Sequence, residues 1–178
     1  MTEDRIQQFH KLYEDSFGPM RTRAIARHVL HPEEFRAEML DPRIQKHVAR
    51  TDTGEPIGIT TLTNHLVTVP WISPDYFAAR FPEHAARNAI YYVGFTLVTP
   101  SARQGAAFHA MIKSAVQVLV TERAAVGWDI CSYNNTQRSL IDRMRAMLDQ
   151  EANVEVAVED SQTYYTALFT EDGATKGG

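Results

Sequence analysis

The sequence predicts a mixed α/β fold (an α+β arrangement), with a central mixed, mostly antiparallel sheet covered by helices on both faces. Three observations predict it: a helical stretch opens the chain, a threonine-rich hairpin follows, and one strand–helix–strand crossover occupies the middle. The crossover reads IYYVGFTLV, TPSARQG, AAFHAMIKSAVQVLVTERAA and VGWDICSYNN. It is an apolar strand, a turn of small residues, a long amphipathic helix and a second strand.

Each element has its own signal. Ile6, Phe9, Tyr13 and Phe17 recur near helical spacing behind Thr2 as a candidate N-cap, and Gly18-Pro19 ends that helix. A second helical piece is expected over Arg21–Leu30. A third starts at Pro32, with Glu33 and Glu34 in its first turn, and closes at Asp41-Pro42. His47 to Ala49, the turn Thr53-Gly54-Glu55 and the run Ile57 to Leu62 read as a hairpin. Val67–Asn88 is broken by Pro70, Pro74 and Pro82, with a short helix expected after Ser73. The strand Ile90–Val98 precedes a helix from about Gln104 to Ala125, which keeps Phe108, Met111, Ile112, Ala115, Val116 and Leu119 on one face. A strand Gly127–Ser132, a helix Thr136–Leu148 and two final strands, Val154–Val158 and Tyr164–Phe169, complete the expected order.

The length of 178 residues suits one domain, placed at residues 1–170 with a flexible tail at 171–178. Apolar residues make up 44% and charged ones 22%, the balance of a soluble globular chain, and the net charge of -4 argues against a nucleic-acid partner. No apolar run approaches a membrane span, and the polar N-terminus does not read as a secretory signal. Cys131 has no second cysteine to pair with, which fits a cytoplasmic protein. His28 and His31 lack the spacing of a metal site and read as helix-surface residues, so no metal is expected.

The turn after Val98 combines Pro100, Arg103, Gly105 and three small residues directly before a helix. Backbone amides left free at a helix start form an anion site when small neighbours leave them open, and the same residues also make an ordinary strand-to-helix turn. Three stretches, DTGEPIGITTL, LVTPSARQGAA and SYNN, together with the order of elements from Phe9 to about Phe169, resemble the GNAT superfamily of acyl-coenzyme A N-acyltransferases. The resemblance implies acetyl-CoA or a longer acyl-CoA as the donor. Its pantetheine arm would lie against Phe95, Thr96, Leu97 and Val98, and its diphosphate at Arg103, Gln104, Gly105, Ala106, Ala107 and Phe108. Asn134 would help line the site. It also implies direct attack by a small-molecule or peptide amine in a ternary complex.

Such attack needs an uncharged amine and a stabilised thiolate. Tyr91 and Tyr92 stand where the family often carries a glutamate, and Leu140 and Ile141 where it often carries a tyrosine. The candidate hydroxyls are Tyr92, Ser132 and Tyr133, each of which packing would explain as well. Trp71, Tyr76, Phe77 and Phe81 are candidates for the acyl or acceptor pocket. The same aromatics would equally make a packed lid or the contact of a homodimer. A non-catalytic protein that binds acyl-CoA or a partner protein as a sensor is the rival reading.

Overall fold

The computed structural model describes residues 2–25, 29–99 and 106–169, without the side chains of residues 137 and 138. His28, the turn residues Pro100, Arg103, Gln104 and Gly105, and the tail from residue 170 lie outside the described residues.

Helix α1 (Glu3–Phe17) buries Ile6, Phe9 and Tyr13, the stripe read from the sequence, though the Thr2 side chain makes no capping bond. The helix expected over Arg21–Leu30 is not formed by the described residues of that span; a 3₁₀ turn, Gly18–Thr22, stands at its start, where Gly18-Pro19 tightens the chain directly after α1. Helix α2 (Pro32–Leu40) begins as expected, and Glu34 Oε2 accepts the His31 N–H at 2.8 Å. Strands β1 (Gln45–Arg50) and β2 (Pro56–Thr63) form the expected hairpin, with Gly54 supplying the positive φ of 88° that its turn requires. Helices α3 (Pro74–Arg80) and α4 (Pro82–Ala86) follow, the first capped by Ser73. Then come β3 (Ile90–Val98), α5 (Ala106–Thr121), β4 (Ala125–Gly127), α6 (Ser132–Arg138) and α7 (Leu140–Glu151).

The sheet runs β1-β2-β3-β4, antiparallel except for the parallel β3–β4 pair. On one face α1 and α2 pack Phe9, Tyr13, Phe35 and Met39 against Ile59, Phe95 and Leu97. On the other, Met111, Ile112 and Val116 of α5 cover Ala49, joined by Met147 and Leu148 of α7. A third cluster sets Phe77 and Phe81 against Ile90 and Tyr92. No described helix is long and apolar enough to cross a membrane.

Three expectations fail in the C-terminal half. The strand expected over Gly127–Ser132 ends at Gly127, and Cys131 is already the N-cap of α6. The helix expected at Thr136–Leu148 is two helices, separated by Ser139 in a left-handed conformation (φ 47°, ψ 43°). Residues 154–169 form no strand. Period-two alternation marks a strand only where an edge is available to pair with, and β4 offers three residues. The segment is held by other means: Arg80 Nε donates to Glu159 Oε2 at 2.8 Å and Arg145 to the Val156 carbonyl at 3.2 Å.

Candidate active site

The pairing of β3 with β4 is short. Ile90, Tyr91 and Tyr92 align with Ala125, Val126 and Gly127, after which the two strands part. Strand β3 runs on to Val98 with β2 on one side. The Thr99 N–H bonds to the Ile57 carbonyl, so by alternation Leu97 also faces β2, and the backbone groups of Thr96 and Val98 turn to the side β4 has left. Among the described residues no strand pairs with that edge, and the next described element is α5 from Ala106.

A β-bulge lies in the same stretch. Leu62 pairs with Val93 but Thr60 pairs with Thr96, so β3 spends one extra residue at Gly94-Phe95 opposite Thr61. The bulge shifts the alternation, which brings Tyr92 and Phe95, three apart, to the same face. Threonine hydroxyls replace the lost ladder bonds: the Phe95 N–H donates to Thr61 Oγ1 and Thr60 Oγ1 donates to the Phe95 carbonyl, both at 3.2 Å. Glycine is required at 94, because a Cβ there would meet Thr61 Oγ1 at 2.6 Å and Glu38 Oε1 at 3.2 Å.

Tyr92 sits at the point of separation, 3% exposed, and its hydroxyl donates to Asp129 Oδ1 at 2.7 Å. Trp71 Nε1 donates to the same oxygen at 3.2 Å. Burial first, then the Asp129 charge and hydrogen bond, push the Tyr92 phenol far above its ordinary 10.0. Its contribution to stability is therefore present below pH 10 and is lost as pH rises through the folded value. The difference spectrum between wild type and Tyr92→Phe is expected to show no phenolate from Tyr92 near pH 10. Ionisation there, with the other exposed phenols, would contradict the bond to Asp129.

The remaining candidates are dispersed. Ser132 and Asn134 lie on helix α6 and not at a strand end. Ser132 is exposed, with its carbonyl bonded to the Thr136 hydroxyl at 2.7 Å. Tyr133 packs against the α1–α2 core with the Arg23 guanidinium 5.1 Å from its ring centre. Asn134 Oδ1 is buried and accepts no hydrogen bond, an acceptor left over within α6. Phe77 and Phe81 pack beneath β3, and Phe77 is so close to β4 that a Cβ on Gly127 would come within 2.8 Å of its ring. Trp71 and Tyr76 are about half exposed, and the Tyr76 hydroxyl donates to the Glu159 carbonyl at 3.4 Å. Thr96 is exposed and Leu97 buried, as neighbours on a strand should be. Ala107 and Phe108 lean on the α5–α7 core.

Two carboxylates join this region that sequence reading did not single out. Asp129 was signalled by a charged residue inside the apolar run VGWDIC. Glu38 was signalled by its phase, three residues after Phe35 and one before Met39 on the buried stripe of α2. No group of three His, Cys, Asp or Glu among the described residues is placed to hold a metal.

No family model and no curated protein matches the chain. Solved structures do. A variant of the BH1408 protein from Bacillus halodurans is 9% identical with a TM-score of 0.54, over 91% of this chain and 90% of that one. An aminoglycoside acetyltransferase from an uncultured soil metagenomic sample, in complex with sisomicin, is 13% identical with a TM-score of 0.53, over 94% and 93%. An aminoglycoside antibiotic 6'-N-acetyltransferase from Acinetobacter baumannii is 12% identical with a TM-score of 0.51, over 93% and 96%. The fold expected from the sequence, that of the GNAT acetyltransferases, is the fold of this chain.

Proposed function

We propose that this chain, built on the acetyltransferase fold, is an N-acyltransferase that moves an acyl group, acetyl by default, from a coenzyme A thioester to an amine. The observation that carries the reading is the parting of β3 and β4 after Tyr92 and Gly127. It leaves the backbone groups of Thr96 and Val98 directed into a gap. An extended pantetheine arm can pair with such an edge as a strand would. Asn134 Oδ1, buried without a donor, fits the role of a further contact, since an amide or hydroxyl of the arm would satisfy it. Arg103, Gln104 and Gly105, with Ala106, Ala107 and Phe108 at the start of α5, are assigned to the diphosphate.

The thioester supplies the activated acyl group; this chain's residues supply position. Trp71 and Asp129 border the gap on the α3 side, where a carboxylate beside an indole suits a cationic amine. Small-molecule amines, the class that two of the structural neighbours are named for, are the first acceptors to test. A second reading, an acyl-CoA binder without turnover, is favoured by one observation: the Tyr92 proton is committed to Asp129 and is not free for a leaving thiolate.

Thiol release from acetyl-CoA with a panel of amines, run beside a binding titration, tests both. Binding with turnover supports the transferase, binding alone supports the sensor, and absence of binding removes both. Arg103→Ala is expected to weaken the dissociation constant by about 1.5–3 kcal/mol, the worth of a hydrogen bond to a charged group. An unchanged constant would show that Arg103 does not meet the phosphates.

A further inference from the structure

We propose that the Glu38 carboxylate is the proton acceptor for the incoming amine, seated on α2 against the bulge of β3 beside the point where β3 and β4 part. The proposal rests on the acyl-transfer reading above and adds the base that β3 itself lacks: the strand Ile90–Val98 contains no acidic residue.

The placement follows from the packing. Phe35 and Met39 bury the stripe of α2, and Glu38 borders it on the Phe35 side, one turn after Phe35, with its carboxylate carried down to the sheet at Gly94 and Thr61. It stops at Gly94, where a Cβ would lie 3.2 Å from Oε1. Gly94 is two residues past Tyr92, the last residue of β3 paired with β4, and both it and Glu38 keep partial exposure on a strand whose neighbours Tyr92 and Phe95 are buried. Thr61 sets the direction of the contact. Its oxygen already accepts the Phe95 N–H, so its own proton is directed to Glu38, which is thereby fixed as an acceptor with lone pairs to spare.

The charges around Glu38 agree with this role. Burial pushes its carboxyl above the ordinary 4.5, against the opposing pull of the Thr61 hydroxyl and of Lys46 on β1, and Asp41 at the end of α2 adds to the rise. A carboxylate whose conjugate acid is weaker is a better base near neutral pH. Asp41 is itself held down to about 2 by the Arg43 guanidinium, so it stays ionised across the working range. In the step, one proton of the ammonium passes to Glu38, and the freed lone pair forms the C–N bond at the thioester carbonyl carbon. The C–S bond breaks, the sulfur takes the second proton lost by nitrogen, and Glu38 returns its own to water.

The experiment compares wild type, Glu38→Gln and Glu38→Asp as full chains with acetyl-CoA and the amine panel. Glu38→Gln is expected to lose about a hundredfold or more in kcat/KM, mainly in kcat, with an unchanged dissociation constant for acetyl-CoA. The acid limb of the wild-type pH profile should disappear, leaving a rate that climbs with the free-amine fraction; Asp41 cannot supply that limb. Glu38→Asp should keep the limb with an intermediate rate. Removing a buried charge whose carboxyl is raised should leave the Tm of Glu38→Gln at or above wild type at neutral pH, because that strain grows as pH rises past the ordinary carboxyl range. A Glu38→Gln variant with wild-type rate and profile overturns the assignment while the transferase reading stands. So does one with a lowered Tm and weakened acetyl-CoA binding, which would mark a structural role. A wild-type chain that binds acetyl-CoA but turns over no amine overturns the transferase reading and Glu38 with it.

Discussion

Phe35→Ala is expected to lower the stability of this protein by about 3–5 kcal/mol. Phe35 is 0% exposed and joins three elements: its ring lies 5.0 Å from Tyr13 on α1 and 6.0 Å from Phe95 on β3, and edge-on to His10 at 5.3 Å. Those neighbours are fixed by separate elements, so they cannot close over the space a methyl group leaves, and the cavity adds to the lost transfer energy. An ordinary domain has about 5–15 kcal/mol in total, so the loss removes a large share of it. Urea unfolding should show a lowered midpoint with an unchanged slope, and Phe35→Leu less than half the effect. A Phe35→Ala midpoint matching wild type would mean that α2 is not held by this ring. Because Glu38 follows one turn later on the same helix, the substitution should also depress any acyl-transfer rate.

The parts of the fold that sequence made legible are those where burial imposes a period. The stripe of α1, the apolar face of α5 and the whole of β3 from Ile90 to Val98 stand where alternation or helical spacing put them. Alternation misled at residues 154–169, which have the pattern of strands but pair with none. It also missed the bulge, although Gly94 inside an apolar strand was its one visible sign. The same bulge explains why the candidate site was only partly readable. Tyr92 was singled out for its hydroxyl, but that Asp129 and Trp71 converge on it depends on α3 lying under β3 and on β4 ending at Gly127. Glu38 is one of several carboxylates in PEEFRAEML with no motif to mark it; only the approach of α2 to a strand position without a side chain makes it part of the site.

Gly94→Ala carries the second large expectation, a loss of about 2–6 kcal/mol from a single methyl group. A Cβ at 94 would stand 2.6 Å from Thr61 Oγ1, and Thr61 is 1% exposed and β-branched, so its oxygen cannot swing into free space. Displacing it strands the Phe95 N–H, which costs about 1–3 kcal/mol, and overpacking adds about 1–3 kcal/mol more. Thr61→Ala alone should cost about 1–3 kcal/mol for the same orphaned amide. The two losses share one cause, so they should not add: with Thr61 Oγ1 gone, the next contact of the new methyl is Glu38 Oε1 at 3.2 Å, the end of a flexible side chain. In a Thr61→Ala background Gly94→Ala should therefore be close to neutral for stability. It should still depress turnover, because the methyl presses on the Glu38 carboxylate, 3.2 Å from its Oε1, and shifts it. Full additivity of the two losses would show that the bulge is not held by Thr61. A double variant as active as Thr61→Ala would show that the position of the Glu38 carboxylate over Gly94 does not matter to the reaction.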